Sequence, residues 1–216
     1  MERGIVAPFA SPRIDQRRGK AKKNHLERKG DKTMEIYEAI ERRRTIRKFK
    51  APATEEQIMR IIVAGTKAPS GGNQQRWEFI LIDDPVLIEK ISERKYILNR
   101  GNKPRGEEAA SSEQEKGAQV QKESFANASM VAVYFKEGGN NDAWMCLENM
   151  SLAAVAEGLG TRIAFFGAGA DKDINQILKV PTGFELAAVL SIGVPAMEPG
   201  PRKLRPEGSW LHRNKF

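Results

Sequence analysis

Five cationic side chains lie within eight residues in the stretch "RRRTIRKF", which covers positions 42–49. Guanidinium groups pair well with carboxylate and phosphate oxygens, because each can donate two parallel hydrogen bonds to one anion. So dense a cluster fits three interpretations: the solvated face of a helix, a patch that binds nucleic acid, or a cradle for one particular anion. Each interpretation predicts different motifs and a different distribution of charge in the rest of the chain.

A second polar cluster, "KAPSGGNQQRWEF" at positions 67–79, follows one predicted helix later. Its two glycines let the backbone approach a ligand closely, and the Ser70 hydroxyl and Asn73 amide can donate and accept hydrogen bonds in fixed directions. Taken alone, the stretch is typical of a polar turn. Because the two clusters bracket a single amphipathic helix, we expect them to face one pocket.

The sequence lacks the common motifs of side-chain and nucleotide chemistry. It contains no G-x-x-x-x-G-K-[ST] phosphate loop, no G-x-G-x-x-G dinucleotide motif and no G-x-S-x-G nucleophile elbow. The single cysteine, Cys146, and the two histidines, His25 and His212, argue against a metal site or a nucleophile pair. We interpret Cys146 as a small core residue. Chemistry carried by a bound organic cofactor is favoured instead.

Positive charge is concentrated at the N-terminus. Positions 1–33 hold ten basic and four acidic residues, so six of the eight net positive charges belong to this segment. The remainder is close to neutral, which argues against a nucleic-acid-binding domain. Without a membrane-length apolar run or a secretory signal, the predicted location is cytoplasmic. Residues 1–33 are predicted to be disordered, either as a native extension or as a misread start.

Helix and strand patterns alternate over 34–216, which predicts one α/β or α+β domain with helices on the faces of a sheet. Short apolar runs predict buried strands at 77–82, 130–135, 161–166 and 185–193. Capping residues predict helix starts at the Thr54–Gln57 capping box, at Asp84 before Pro85, at Asp142 and at Asp171.

Two segments do not fit a compact core. Residues 94–127 are long and polar, and we expect either a mobile lid, with Tyr96 and Phe125 as walls of an acceptor pocket, or a disordered insert. Residues 194–216 form a proline-rich basic arm that ends in large apolar side chains. Such an arm is expected to lie across another subunit.

Four motifs occur in an order and spacing that resemble the FMN-dependent nitroreductase family. They are "RRTIRKF" (43–49), "APSGGNQQRWEF" (68–79), "GLGTRIAFF" (158–166) and "GVPAMEPGPRKLRPEGSWLHRNKF" (193–216). The resemblance covers residues 34–216. It implies an α+β fold in which helices flank a central, mostly antiparallel sheet. It also implies an intertwined homodimer that exchanges its C-terminal arms and holds two FMN molecules at its interface.

The resemblance also implies which residues bind FMN. In the first two motifs, the matching positions are Arg43, Arg44, Thr45 and Arg47, and Pro69, Ser70, Gly71 and Asn73. The backbone of Phe166 and Gly167 would pass the flavin's reactive edge. In the arm, Arg202 and Arg205 would reach phosphate from the other subunit. The chain departs from the family pattern at Arg76, where proline is usual, and at Glu207, where leucine is usual.

The charges agree with this resemblance. A phosphate of about −2 charge suits guanidinium forks, and a cation beside the flavin ring would stabilise its reduced form. We assign that role to Arg47, and we expect no metal and no catalytic side chain, because FMN carries the chemistry. The opening cluster is thus interpreted as an anion cradle, with Arg42 and Lys48 serving only solubility.

The function implied is an enzyme that uses NADH or NADPH to reduce a small-molecule acceptor, a nitroaromatic, quinone or related compound, by a ping-pong mechanism. Neither nucleic acid nor membrane is an expected partner. Three alternatives stay open: a relative that uses reduced FMN for dehalogenation or flavin remodelling, a flavin-binding protein without turnover, and a nucleic-acid or membrane-surface binder acting through residues 1–33. The sequence leaves the physiological acceptor and the preferred nicotinamide open.

Overall fold

A computed structural model describes residues 34–104, 107, 111–167 and 169–215, so the predicted N-terminal extension lies outside the described residues. The helices are α1 (Ile36–Arg42), α2 (Glu55–Gly65), α3 (Pro85–Asn99), α4 (Ser112–Glu123), α5 (Asn140–Ala156) and α6 (Ala170–Ile177). The strands are β1 (Phe49–Pro52), β2 (Trp77–Ile82), β3 (Ser129–Phe135), β4 (Gly160–Ala164) and β5 (Glu185–Pro195). None of these helices combines the length and apolarity needed to cross a membrane.

The five strands form one sheet in which every strand pairing is antiparallel. Its order is β1-β5-β3-β2, and β4 also pairs with β5, so the long strand β5 contacts three others. The prediction of an α+β fold with helices flanking a mostly antiparallel sheet is confirmed, and the α/β alternative is excluded. No arrangement of parallel strands with crossover helices is present in the described chain.

Helices cover both faces of the sheet, and the alternation of side chains along β3 shows why the run from Met130 to Phe135 is apolar. Val131 and Val133 belong to a core that α2 and α5 complete, whereas Met130 and Tyr134 belong to a second core beneath α3 and α6. Successive side chains of a strand point to opposite faces, so a strand covered on both faces reads as a continuous apolar run.

Two of the predicted helix starts are formed by the expected caps. The Thr54 hydroxyl accepts a hydrogen bond from the backbone N–H of Gln57 at 3.2 Å, and the Gln57 side chain accepts one from the Thr54 N–H at 3.1 Å. The Asp84 carboxylate accepts one from the N–H of Val86 at 2.8 Å. Both pairings satisfy N–H groups that the first helical turn cannot.

The predictions of the other two helix starts, at Asp142 and Asp171, and of the strand at 161–166 were wrong by a few residues. The fifth helix begins at Asn140 after a turn at Gly139, so Asp142 is a buried residue of its first turn and not its cap. The sixth begins at Ala170, because Gly169 takes a left-handed conformation with φ of 84° directly before it. The strand predicted at 161–166 occupies Gly160–Ala164.

Within the segment predicted as a lid or insert, α3 continues to Asn99 and α4 packs against it. Ion pairs hold these polar helices together: Arg100 contacts Glu115 at 2.6 Å, and Lys122 contacts both Glu89 and Glu93 at 2.7 Å. The side chains of Tyr96 and Phe125, expected to line a pocket, are 3% and 1% exposed.

The chain between α1 and β1, which carries the cationic cluster, lies directly on β4. The Ile46 N–H donates to the Thr161 carbonyl at 2.9 Å, and Thr45 forms a parallel bridge with Thr161. A side chain at Gly160 would collide with Ile46, so this close approach requires glycine. The strand therefore fixes the direction in which residues 43–47 run.

Candidate functional site

The cationic cluster divides according to its partners. Arg42, the last residue of α1, contacts Glu38 one turn earlier at 3.1 Å, as on a solvated helix face. The Arg43 guanidinium lies 3.5 Å from Glu148 of α5. The side chains of Arg47 and Lys48 are exposed, and neither forms a hydrogen bond or ion pair with another described residue. Uncompensated positive charge thus remains at the end of the cluster.

Arg44 points into a cleft of about 530 Å³ between α1, β4 and the end of β5. Its Nη1 donates to the carbonyls of Glu41 and Arg43, and its Nη2 lies 3.8 Å from the Glu41 carboxylate. Its Nε is buried without a hydrogen-bond partner in the described part of the chain. A buried N–H without an acceptor costs free energy comparable to a lost hydrogen bond. Within the described residues, the Nε is therefore an unsatisfied donor.

The C-terminal arm returns to the cationic cluster of its own chain through Arg202, whereas the resemblance implies that Arg202 reaches phosphate of the other subunit. The Arg202 guanidinium donates to the Arg43 carbonyl at 2.7 Å and to the Ile40 carbonyl at 3.3 Å. One residue of the arm, Ala196, also donates its N–H to the Lys48 carbonyl at 2.9 Å. Two predicted site residues that are 159 positions apart are thus in direct contact.

Arg205 does not reach that group within the chain. It lies with Leu204, Glu207 and Trp210 along a shallow cleft that only arm residues line. The structure describes no hydrogen bond or ion pair between Arg205 and the other predicted site residues.

The polar loop after α2 is held in shape by its own side chains. The Ser70 hydroxyl accepts a hydrogen bond from the backbone N–H of Gln75 at 3.1 Å, and the side-chain Oδ1 of Asn73 accepts one from the Gln75 side chain at 3.0 Å. Gly72, Asn73 and Gln75 all have positive φ, between 48° and 59°. The exposed residues Pro69 and Gly71 leave the backbone open to a ligand, but across the described ranges no hydrogen bond joins this loop to the cationic cluster.

Arg76, the departure from the family pattern, has a structural contact of its own. Its guanidinium donates to the Glu137 carbonyl at 2.8 Å and packs against Gly138 and Gly139, where any side chain would collide with it. The following residue, Trp77, is buried and starts β2. The turn therefore reaches the sheet although it lacks the usual proline.

An aromatic cleft of about 450 Å³ lies beyond the end of β4. Its walls include Phe165, which is 57% exposed, and Trp144, whose ring centroid lies 6.4 Å from that of Phe165. Phe166 and Gly167 also line it, and Phe166 is otherwise buried. A cleft with aromatic walls suits a flat ring system, because such rings stack favourably.

Two buried cations border the same backbone, and sequence reasoning missed both. The Lys95 ammonium donates to the Phe165 carbonyl at 2.6 Å and lies 5.2 Å from the centre of the Phe166 ring. The Arg162 guanidinium donates to the side chains of Gln121 and Ser124. The available sequence signal was a basic residue at position 162 inside an apolar strand pattern; position 95 had none.

Positive charge and burial act together on these two groups. Burial, assisted by the neighbouring Arg162, lowers the pKa of Lys95 to about 8. Burial, assisted by Arg47, lowers the pKa of Arg162 to about 10. Arg47, Arg162 and Lys95 therefore form a series in which each cation is close enough to repel the next. We call these three residues the cation row.

Comparison with known proteins agrees with this fold. The model of the Nitroreductase family matches residues 40–194. An iodotyrosine deiodinase from Thermotoga neapolitana is 26% identical over 80% of this chain and 94% of that protein. An NADPH-dependent oxidoreductase from Staphylococcus saprophyticus is 24% identical over 84% of this chain and 74% of that protein. The solved structure of an FMN-dependent nitroreductase from Clostridium difficile R20291 has a TM-score of 0.62 and 25% identity, over 82% of this chain and 98% of that one.

Proposed function

The chain belongs to the nitroreductase family, and on that premise we propose that it is an FMN-dependent oxidoreductase. Its electron donor is NADH or NADPH, and its acceptor is a small organic molecule such as a nitroaromatic or a quinone. The similar deiodinase, oxidoreductase and FMN-dependent nitroreductase support this proposal by their names.

The observation that carries the proposal is an unpaired cation in a chain that also has a cleft with aromatic walls. Arg47 has no anionic partner among the described residues, whereas Arg44 lies 3.8 Å from the Glu41 carboxylate. The cleft beside Phe165 is large enough for a ring system, at about 450 Å³. A phosphate-bearing aromatic cofactor matches both features, so the residues fit FMN.

The chain's own residues would divide the binding of FMN between them. Arg43 and Arg202, already in contact, would hold the phosphate, and Arg47 would face the negatively charged edge of the ring. The exposed backbone at Gly71 and the Asn73 amide would hold the ring's polar edge. When bound, FMN supplies the redox chemistry by accepting a hydride and passing electrons on.

We further propose that the working unit is a homodimer. Large apolar side chains are exposed on three helices and on the arm, among them Tyr37 (84%), Met59 (51%), Trp144 (37%) and Leu211 (70%). Exposed apolar surface of this kind is typical of a subunit interface. A second copy would also bring the loop 69–73 and Arg205 to the cluster, which one chain alone does not do. Sedimentation or light scattering tests this, and a monomer that retains FMN would contradict it.

Titration of the FMN-free protein with FMN tests the cofactor assignment, with Arg42 and Arg47 as a matched pair. Because Arg47 would contribute a charge-assisted contact, Arg47→Gln is expected to weaken FMN binding by about tenfold or more. Arg42→Gln is expected to leave it unchanged, since Arg42 contacts Glu38 on the helix surface. Equal effects of both variants, or no binding by the unaltered protein, would contradict the proposal.

Reductive dehalogenation is a second candidate, which the similarity to iodotyrosine deiodinase over 94% of that protein favours. It would use the same cofactor with another acceptor. Product analysis with a nitroaromatic, a quinone and a halogenated phenol distinguishes the two. Halide release at a higher kcat/KM than reduction of either other acceptor would favour dehalogenation.

A further inference from the structure

Lys95 and Arg162 are buried cations whose described contacts are all with neutral groups. The two residues are 8% and 3% exposed. Lys95 contacts the Phe165 carbonyl and the Phe166 ring, and Arg162 contacts Gln121, Ser124 and the Phe125 ring. Neither forms an ion pair with a carboxylate in the described part of the chain.

Other buried or partly buried cations of the same region do have counterions. Arg100 ends the helix that carries Lys95, its side chain is 5% exposed, and Glu115 lies 2.6 Å from it. Lys122 of the adjacent helix contacts two carboxylates. Among the buried basic residues that the structure describes, only Lys95 and Arg162 therefore lack a counterion.

Such an arrangement is costly for the folded protein. A buried charge loses its hydration, and only a counterion or a full set of hydrogen bonds offsets that loss. Here each buried cation is also repelled by the next in the cation row. A bound anion beside the row would offset this repulsion, because every member of the row would be attracted to it.

The location of the row indicates which anion. Arg47 is the residue assigned to the charged edge of the flavin ring, and its charge helps to lower the pKa of Arg162. At the other end, Lys95 contacts the carbonyl of Phe165, where the backbone is expected to pass the flavin's reactive edge. Both ends of the row thus coincide with predicted contacts of one ring.

We propose that Lys95 and Arg162 are electrostatic residues of the flavin site, and that their charge stabilises the negative charge which the ring gains on reduction. This inference rests on the proposed function and deepens it. Lys95 is also a positioning residue. Because the C=O and the following N–H of a trans peptide point in opposite directions, its bond to Phe165 fixes the direction of the Phe166 N–H.

The test compares Lys95→Met with Lys90→Met in the FMN-loaded protein. Methionine keeps most of the side-chain volume and removes the charge, and Lys90 is an exposed lysine of the same helix. The measured quantities are the affinities for oxidised and reduced FMN and the two-electron reduction potential of the bound flavin. Lys95→Met is expected to bind reduced FMN about tenfold less tightly relative to oxidised FMN, which corresponds to a potential lower by about 30 mV. Lys90→Met is expected to match the unaltered protein.

Arg162→Gln supplies a second variant in case Lys95→Met does not fold, and its potential is expected to fall in the same direction. If the unaltered protein binds FMN and oxidises NAD(P)H while both charge-removing variants keep its potential, the inference is overturned and the proposed function stands. If the unaltered protein cannot be loaded with FMN, the proposed function itself fails. A fall in potential as large in Lys90→Met as in Lys95→Met would also overturn the inference, because it would reflect net charge alone.

Discussion

The ammonium group of Lys95, in α3, lies 2.6 Å from the carbonyl oxygen of Phe165, just beyond the end of β4. This contact joins the helix that opens the segment predicted as a lid to the backbone of the aromatic cleft. Helix α3 therefore packs directly against the candidate site and contributes to its structure. Changes in α3 are expected to alter the site itself as well as its choice of acceptor.

The first prediction concerns the pH dependence of stability. The pKa of Lys95 is about 8 in the folded protein and 10.5 for an ordinary lysine, so between these values the unfolded chain binds a proton that the folded chain does not. Stability contributed by Lys95 therefore rises with pH over this range. The unfolding free energy of the unaltered FMN-free protein, relative to that of Lys95→Met, is expected to increase from about pH 7 to about pH 10. Urea denaturation measures the unfolding free energies of both proteins. If their difference stayed constant over this pH range, the burial of a charged lysine would be contradicted.

The second prediction concerns the only cysteine. Cys146 is fully buried in α5, and burial raises the pKa of its thiol to about 12. Because the thiolate is the reactive form, the folded protein is expected to resist a disulfide reagent at neutral pH. The same protein unfolded in guanidinium chloride is the control, and its single thiol should react with one equivalent of the reagent per chain. Rapid reaction of the folded protein would contradict the interpretation of Cys146 as a core residue.

The third prediction compares two helical glycines. A side chain at Gly65 would lie 2.6 Å from Cγ of Met150, where α2 crosses α5, whereas Gly117 in α4 has nothing within 4 Å of the same position. Gly65→Ala is expected to lower the unfolding free energy by about 1–3 kcal/mol through overpacking. Gly117→Ala is expected to raise it by about 0.5–1 kcal/mol, because alanine favours the helix. Urea denaturation measures the unfolding free energies of both variants. Equal changes in the two would argue against close packing at Gly65.

The fourth prediction concerns the anchor of the arm. Arg202 donates to the Arg43 carbonyl at 2.7 Å, so Arg202→Gln is expected to release the arm from the cationic cluster and to weaken FMN binding by about tenfold. The neighbouring exposed residue supplies the control, Lys203→Gln, which should bind FMN normally. Quenching of FMN fluorescence measures both affinities. Undiminished affinity of Arg202→Gln would show that the arm does not serve the site.

Much of the fold was predictable because local signals and tertiary packing agree. The strand predicted at 77–82 matches β2, and the caps at Thr54 and Asp84 form as expected. The prediction was wrong at Asp142, because the cap of this helix is Gly139, three residues earlier, and the Asp142 side chain is buried. Capping preference alone could not show this, because the turn depends on how Gly138 and Gly139 pack against Arg76.

The candidate residues could be named from the sequence where they belong to a motif, and their roles stay predictions. The structure brings Arg202 to Arg43 of the same chain, although the resemblance implies a contact across subunits. Lys95 could not be found from the sequence, because its burial depends on the packing of α3 over the end of β4. The relation of the loop 69–73 and of Arg205 to the rest stays a prediction that depends on a second copy of the chain.

The central claim is that the protein binds FMN and reduces it with a nicotinamide. The most direct test is the visible spectrum of the FMN-reconstituted protein under anaerobic conditions, before and after addition of NADH or NADPH. The account predicts that one FMN is retained per chain, that its absorption bleaches with at least one of the two donors, and that it returns when a nitroaromatic or quinone is added. A protein that retains no FMN, or whose bound flavin stays oxidised with both donors, would contradict it.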